Sequence, residues 1–79
     1  MDTDLLEHRL ALVERQIVDA EGHITLRRDN LTRLEIDGLA TSETADIARD
    51  RLQSMEGSLR RYTAERKQLQ AQLRRSRAA

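Results

Sequence analysis

The chain has 79 residues, enough for one small domain, and contains no proline, cysteine, tryptophan or phenylalanine and a single tyrosine. Lacking cysteine, it has no disulfide, no thiolate chemistry and none of the sulfur ligands of structural zinc. The formal net charge is zero, yet charged residues make up 35% and the hydrophobic set 38%, which fits a long helix or coiled coil better than a compact globule.

The first predicted element is a helix over about 4–36. Asp2, Thr3 and Asp4 offer oxygens to the free first-turn amides, Glu7 stands where a capping-box partner belongs, and these acids suit the positive end of the helix dipole. The helix is expected to stop at Asp37-Gly38, with Gly38 as the left-handed terminator and Leu39 as the apolar residue that follows it. A turn over about 37–41 leads to a second helix over about 42–75, capped by Thr41 or Ser42 and carrying Glu43 and Asp46 in its first turn. Arg74, Arg75 and Arg77 give its end the sign that the dipole favours, and residues 76–79 read as a frayed basic tail. With no proline to interrupt them, both arms reach roughly 50 Å at about 1.5 Å per residue.

The two arms carry matching apolar series. Leu6, Leu10, Val13, Ile17, Ala20, Ile24, Arg27, Leu31 and Leu34 step alternately by four and three. So do Ala45, Ala48, Leu52, Met55, Leu59, Tyr62, Arg66, Leu69 and Leu73. Taken from opposite ends, each member of the first series pairs with one of the second so that the residue numbers total 79. Alternating steps of four and three are the seam of a coiled coil, and a constant total is what an antiparallel fold-back requires. The expected fold class is therefore all-α, a single antiparallel two-helix hairpin. Charge agrees: residues 1–40 hold nine acids and five bases, whereas residues 41–79 hold five acids and nine bases. Arms of opposite sign lie side by side in the fold-back, a modest and salt-sensitive preference.

Two seam positions are charged. Arg27 falls opposite Leu52 and Arg66 opposite Val13, and their stems are expected to cover apolar surface while the heads reach acids, Asp29 or Asp50 for Arg27 and Glu14 or Glu65 for Arg66. Gly22 and Gly57 lie at one level of the hairpin, both on outward positions.

A hairpin seam buries its side chains only in part, and chains of this size commonly need staples or oligomerisation. The first helix carries a second apolar set on positions that should be polar: Leu5, Ala11, Leu12, Val18, Leu26 and Ile36. The outward positions of the second helix are mainly polar, with Ile47 as the exception. A helix apolar on two sides is normally buried between neighbours. The simplest neighbour is a second copy, which gives a homodimer, a four-helix bundle with the first helix inside. Leu5, Leu12, Val18, Gly22 and Leu26 are the candidate self-association face, with Gly22 allowing close approach. Arg15, Asp19 and Asp29 interrupt it.

The second helix carries a basic stripe, Arg60, Arg61, Lys67, Arg74 and Arg75. Such a stripe suits nucleic-acid phosphates, an acidic protein partner or an anionic membrane surface, and it also reads as a solvated face complementing the acidic arm. A net charge of zero and the absence of stacking aromatics argue against nucleic acid. No apolar run approaches 18 residues, so no membrane insertion is expected. The opening Met-Asp-Thr-Asp is not a basic-then-apolar leader, so the expected address is cytoplasmic. His8 and His23 stand roughly 22 Å apart on one helix at about 1.5 Å per residue and have no ligand set beside them, so no metal and no cofactor is expected. No phosphate loop or nucleophile elbow is present, and two thin helices offer no water-excluding pocket, so the reading is non-enzymatic.

The turn Leu34-Glu35-Ile36-Asp37-Gly38-Leu39-Ala40-Thr41, followed by Ala45, Leu52 and Met55, resembles a set of small uncharacterised helical-hairpin proteins of rhizobia and related alphaproteobacteria. Those read as a helix, a turn of the pattern LE-x-D/G-G-x-x-T, and a second helix. The resemblance implies a bacterial hairpin protein and no particular activity. Ile36 stands where that pattern has a small residue.

Overall fold

The computed structural model describes residues 3–78, which form two helices and no strand. Helix α1 spans Thr3–Ile36 and helix α2 spans Glu43–Ala78. They pack against one another as a hairpin measuring 59 × 14 × 14 Å. The capping role expected of Asp2 lies outside the described residues.

The turn follows from local chemistry. Gly38 has φ of 79°, a conformation that costs L side chains roughly 1–2 kcal/mol and glycine little. Its amide donates to the Glu35 carbonyl at 3.1 Å, and the Leu39 amide donates to the Leu34 carbonyl at 2.8 Å. These crossed bonds satisfy carbonyls that the end of a helix leaves open, the Schellman arrangement. Ser42 then starts α2. Its Oγ accepts from the Ala45 amide at 3.2 Å and donates to the Leu39 carbonyl at 2.6 Å, so one hydroxyl ties the cap to the turn. Arg49 reaches back to the Ala40 carbonyl at 2.6 Å and to Asp46 at 3.1 Å, fixing the first turns of α2 to the loop.

All eighteen seam positions are buried or half-buried. On α1, Thr3 is the one other described residue that is not exposed. The innermost group is Leu6, Val13, Ile17, Leu69 and Leu73, with Leu10, Leu59 and Tyr62 packed against it. This core lies in the half of the hairpin remote from the turn. Towards the turn the layers pair a leucine with an alanine, Leu31 with Ala48 and Leu34 with Ala45, and Ala45 is fully buried. Small residues there let the helices close on the short connection.

The second helix runs further than expected. It continues past Arg75 to Ala78, so residues 76–78 are helical rather than frayed. Two contacts account for this. The Thr3 and Ser76 hydroxyls meet at 3.2 Å, adding a polar layer to the seam at the same total of 79, and Arg77 donates to Glu7 at 2.8 Å.

The seam arginines differ from expectation. Arg27 and Arg66 are half-buried, with stems along the seam. Neither head pairs with the acids proposed for it; the ion pairs among the described residues are Arg28–Glu56, Arg49–Asp46 and Arg77–Glu7. Two of these cross between helices, Glu7 with Arg77 at 2.8 Å and Arg28 with Glu56 at 3.0 Å, on one flank of the seam. Each lies one step outside the seam, and in both the residue numbers total 84. Their polarity is opposite: acid on α1 near the termini, base on α1 nearer the middle. A slip of one heptad in one direction would set Glu21 against Glu56 and Arg28 against Arg49. A slip in the other would set Glu35 against Glu56 and Glu14 against Arg77, trading two attractive pairs for one attractive and one repulsive. The flank thus favours the observed register, with each exposed pair worth about 0.2–1 kcal/mol.

Two outcomes follow. Glu56→Arg is expected to lower stability by about 0.5–1 kcal/mol, and the exchanged pair Arg28→Glu/Glu56→Arg to recover most of it, measured by urea denaturation; equal stability of all three proteins would remove the flank from the account of register. Gly57→Ala is expected to raise stability by about 0.5–1 kcal/mol, because an added Cβ meets only the Arg60 guanidinium at an ordinary 3.7 Å.

Candidate interaction surfaces

The seam uses one face of α1, and a second apolar row remains on the other. Leu5 is 52% exposed, Leu12 49%, Val18 68% and Leu26 59%. Seven-residue steps put Leu5, Leu12, Asp19, Leu26 and Arg33 on one line along the helix, and Ala11 and Val18 on a parallel line. Between the lines lie His8, Arg15, Gly22 and Asp29. A side chain added at Gly22 would meet nothing within 4 Å, so within the hairpin this glycine makes room for nothing. Arg15 and Asp19 have no ion-pair partner among the described residues. The sequence-predicted face is therefore brought together as one outward surface, with its charges unsatisfied inside the chain.

The tip of the hairpin carries three further exposed apolar side chains, Ile36, Leu39 and Ile47. Leu39, the apolar residue that follows the Gly38 terminator, is 47% exposed.

The two flanks of the seam are unlike. The flank holding Glu7–Arg77 and Arg28–Glu56 is bridged by charge. The opposite flank is open. Ala20 is too short to fill its layer with Leu59, and a cleft of about 250 Å³ opens there between Gln16, Asp19, Ala20, His23, Met55, Ser58 and Tyr62. A neighbouring cleft of about 220 Å³ is lined by His23, Leu26, Arg27 and Met55. Sequence reasoning missed both; the signal was Ala20, a short side chain in the middle of the seam, away from the turn where Ala45 and Ala48 let the helices close. Asp19 and His23 are exposed, and no buried side chain among the described residues is polar or charged. The clefts are furrows open to water, not enclosed pockets. Among the described residues no three His, Cys, Asp or Glu side chains gather as metal ligands. No helix of the described residues is long and apolar enough to cross a membrane.

Arg60, Arg61, Lys67, Arg74 and Arg75 are all exposed on the outer side of α2. Arg61 donates to the Ser58 hydroxyl at 3.0 Å, and none of the five is held in an ion pair among the described residues. Arg75 also lines a cleft of about 390 Å³ with Leu6, Gln72 and Ser76 where the two helix ends meet. Compared with known proteins, the chain matches no family model, no curated protein sequence and no solved structure.

Proposed function

We propose that this chain is a non-enzymatic interaction module that associates with a second copy of itself through α1. One observation carries the reading: Leu5, Leu12, Val18 and Leu26 are about half or more exposed on a helix whose other face is already committed to the hairpin. Isolated exposed leucines are ordinary, but a row along one helix is the pattern of an unfilled interface. Pairing through α1 places α1 at the centre and α2 outside, a four-helix arrangement in which both apolar faces of α1 are covered.

Sedimentation equilibrium tests this. The wild-type chain is expected to be dimeric at micromolar concentration, and Leu12→Glu/Leu26→Glu to be monomeric with its helicity retained. A wild-type monomer across the micromolar range would remove the reading.

The unpaired cations of α2 support a second reading, contact of that face with a polyanion, either an acidic protein or nucleic-acid phosphates. Under the nucleic-acid form, binding to duplex DNA is detectable at low salt and falls steeply as salt rises, since phosphate contacts release counterions. No binding to duplex DNA at low salt, in a titration followed by fluorescence anisotropy, would eliminate that form.

A further inference from the structure

We infer that the two copies pair antiparallel through α1, on a two-fold axis beside Ile17 that sets Arg15 of each copy against Asp19 of the other. This rests on the self-association reading above and gives it a direction and a register.

The argument begins with the charges that interrupt the apolar face. Two lines of α1 face outward together: one holds Leu5, Leu12, Asp19 and Leu26, the other His8, Arg15, Gly22 and Asp29. Together they step alternately by three and four, the spacing of a second coiled-coil seam on the same helix. In a parallel, in-register dimer every residue meets its own copy. Arg15 would then face Arg15, Asp19 face Asp19 and Asp29 face Asp29. Each is a like-charge contact inside an interface, which is strongly disfavoured. An antiparallel pair removes all three. Centring it at Ile17 places Arg15 opposite Asp19 twice, once on each side of the axis, and places Leu12 over Gly22 twice. That matches the structure at both points: Arg15 and Asp19 are unpaired within the chain, and the space above Gly22 is empty. The same pairing sets Leu5 over Asp29 and His8 over Leu26 towards its ends. Moving the axis by half a heptad towards the turn instead puts Arg15 against Leu26, Leu12 against Asp29 and Asp19 against Gly22, and moving it the other way puts Arg15 against Leu12, so Arg15 loses its opposite charge in both. The pairing centred at Ile17 overlaps residues 3–31 of both helices and leaves each hairpin tip projecting beyond the other copy.

Charge exchange tests the register. Arg15→Asp and Asp19→Arg each turn two attractive contacts into two repulsive ones and are expected to weaken the dimer on the order of tenfold, while the double variant restores wild-type affinity within about threefold. Circular dichroism at concentrations where each protein is monomeric checks that helicity is retained. The direction is read separately with Ile36→Cys, a clean probe because the chain has no other cysteine. In the antiparallel pair the two cysteines are about 57 Å apart at about 1.5 Å per residue and do not cross-link on oxidation. In a parallel pair they face one another and do. Failure of the double variant to recover, or a rapid disulfide within the Ile36→Cys dimer, would overturn this register while leaving self-association standing. A wild-type monomer would overturn both.

Discussion

Everything in this molecule depends on a seam that is one side chain wide. Two helices in antiparallel contact can cover one stripe of each other and no more, and here that stripe accounts for nearly every described residue of α1 that leaves solvent. The consequence is a molecule 59 Å long and 14 Å across, with few fully buried side chains. Such a body has no interior in which to hide a polar group, and among the described residues none is hidden. Its chemistry has to be done on surfaces. For the same reason any apolar residue off the seam stays in water until something covers it, so Leu12 or Val18 carries more weight here than it would on a thick globule.

The two flanks divide the labour. Charge closes one, with Glu7–Arg77 and Arg28–Glu56 lying at opposite polarity along it, so that a slip brings like charges together. The other flank has polar residues and a short seam residue, Ala20, and opens into clefts. The turn supplies the third constraint. Gly38, Ser42 and Arg49 satisfy the loose backbone groups where one helix ends and the next begins, which fixes where the fold-back occurs. Hydrophobic burial supplies the driving force for closing the hairpin, but burial alone accepts any shift by a whole heptad. The turn and the bridged flank select among those shifts.

Much of this was legible in the sequence because the hairpin is nearly one-dimensional. Once both arms are helical and fold back, a single total of 79 assigns the level of every residue, and the buried set follows. The Asp37-Gly38 stop and the Ser42 cap are equally local, governed by residues within a few positions of one another. What escaped was what depends on side-chain reach. The seam arginines were given acid partners that they do not take, because a long flexible side chain near the surface can satisfy its head in water. The flank pairs totalling 84 were readable by the same arithmetic, one step outside the seam. The end of α2 was set too early because Ser76 and Arg77 look like tail residues until Thr3 and Glu7 are placed beside them. The clefts needed the volume of Ala20 to be weighed against that of its neighbours.

The candidate site divides in the same way. The apolar face of α1 was visible as leucines left over once the seam was assigned, and its interrupting charges looked like flaws. Arg15, Asp19 and Gly22 are flaws only for a helix that ends its contacts at its own hairpin. Set against an inverted copy, the arginine meets an aspartate and the glycine meets a leucine, so three of the residues that least suit an apolar face are the ones that give it a direction. Gly57, at the same level on α2, is a useful contrast. Its surroundings hold the Arg60 guanidinium and no exposed apolar row, and nothing in the structure explains why it is glycine. Two glycines at one level with unlike surroundings separate a helix that has something to approach from one that faces outward. The cations of α2 stay outward whichever way the α1 faces meet, and an inverted pair keeps both sets along the central overlap, between the projecting tips, so a polyanion contact at α2 and self-association at α1 do not compete for surface.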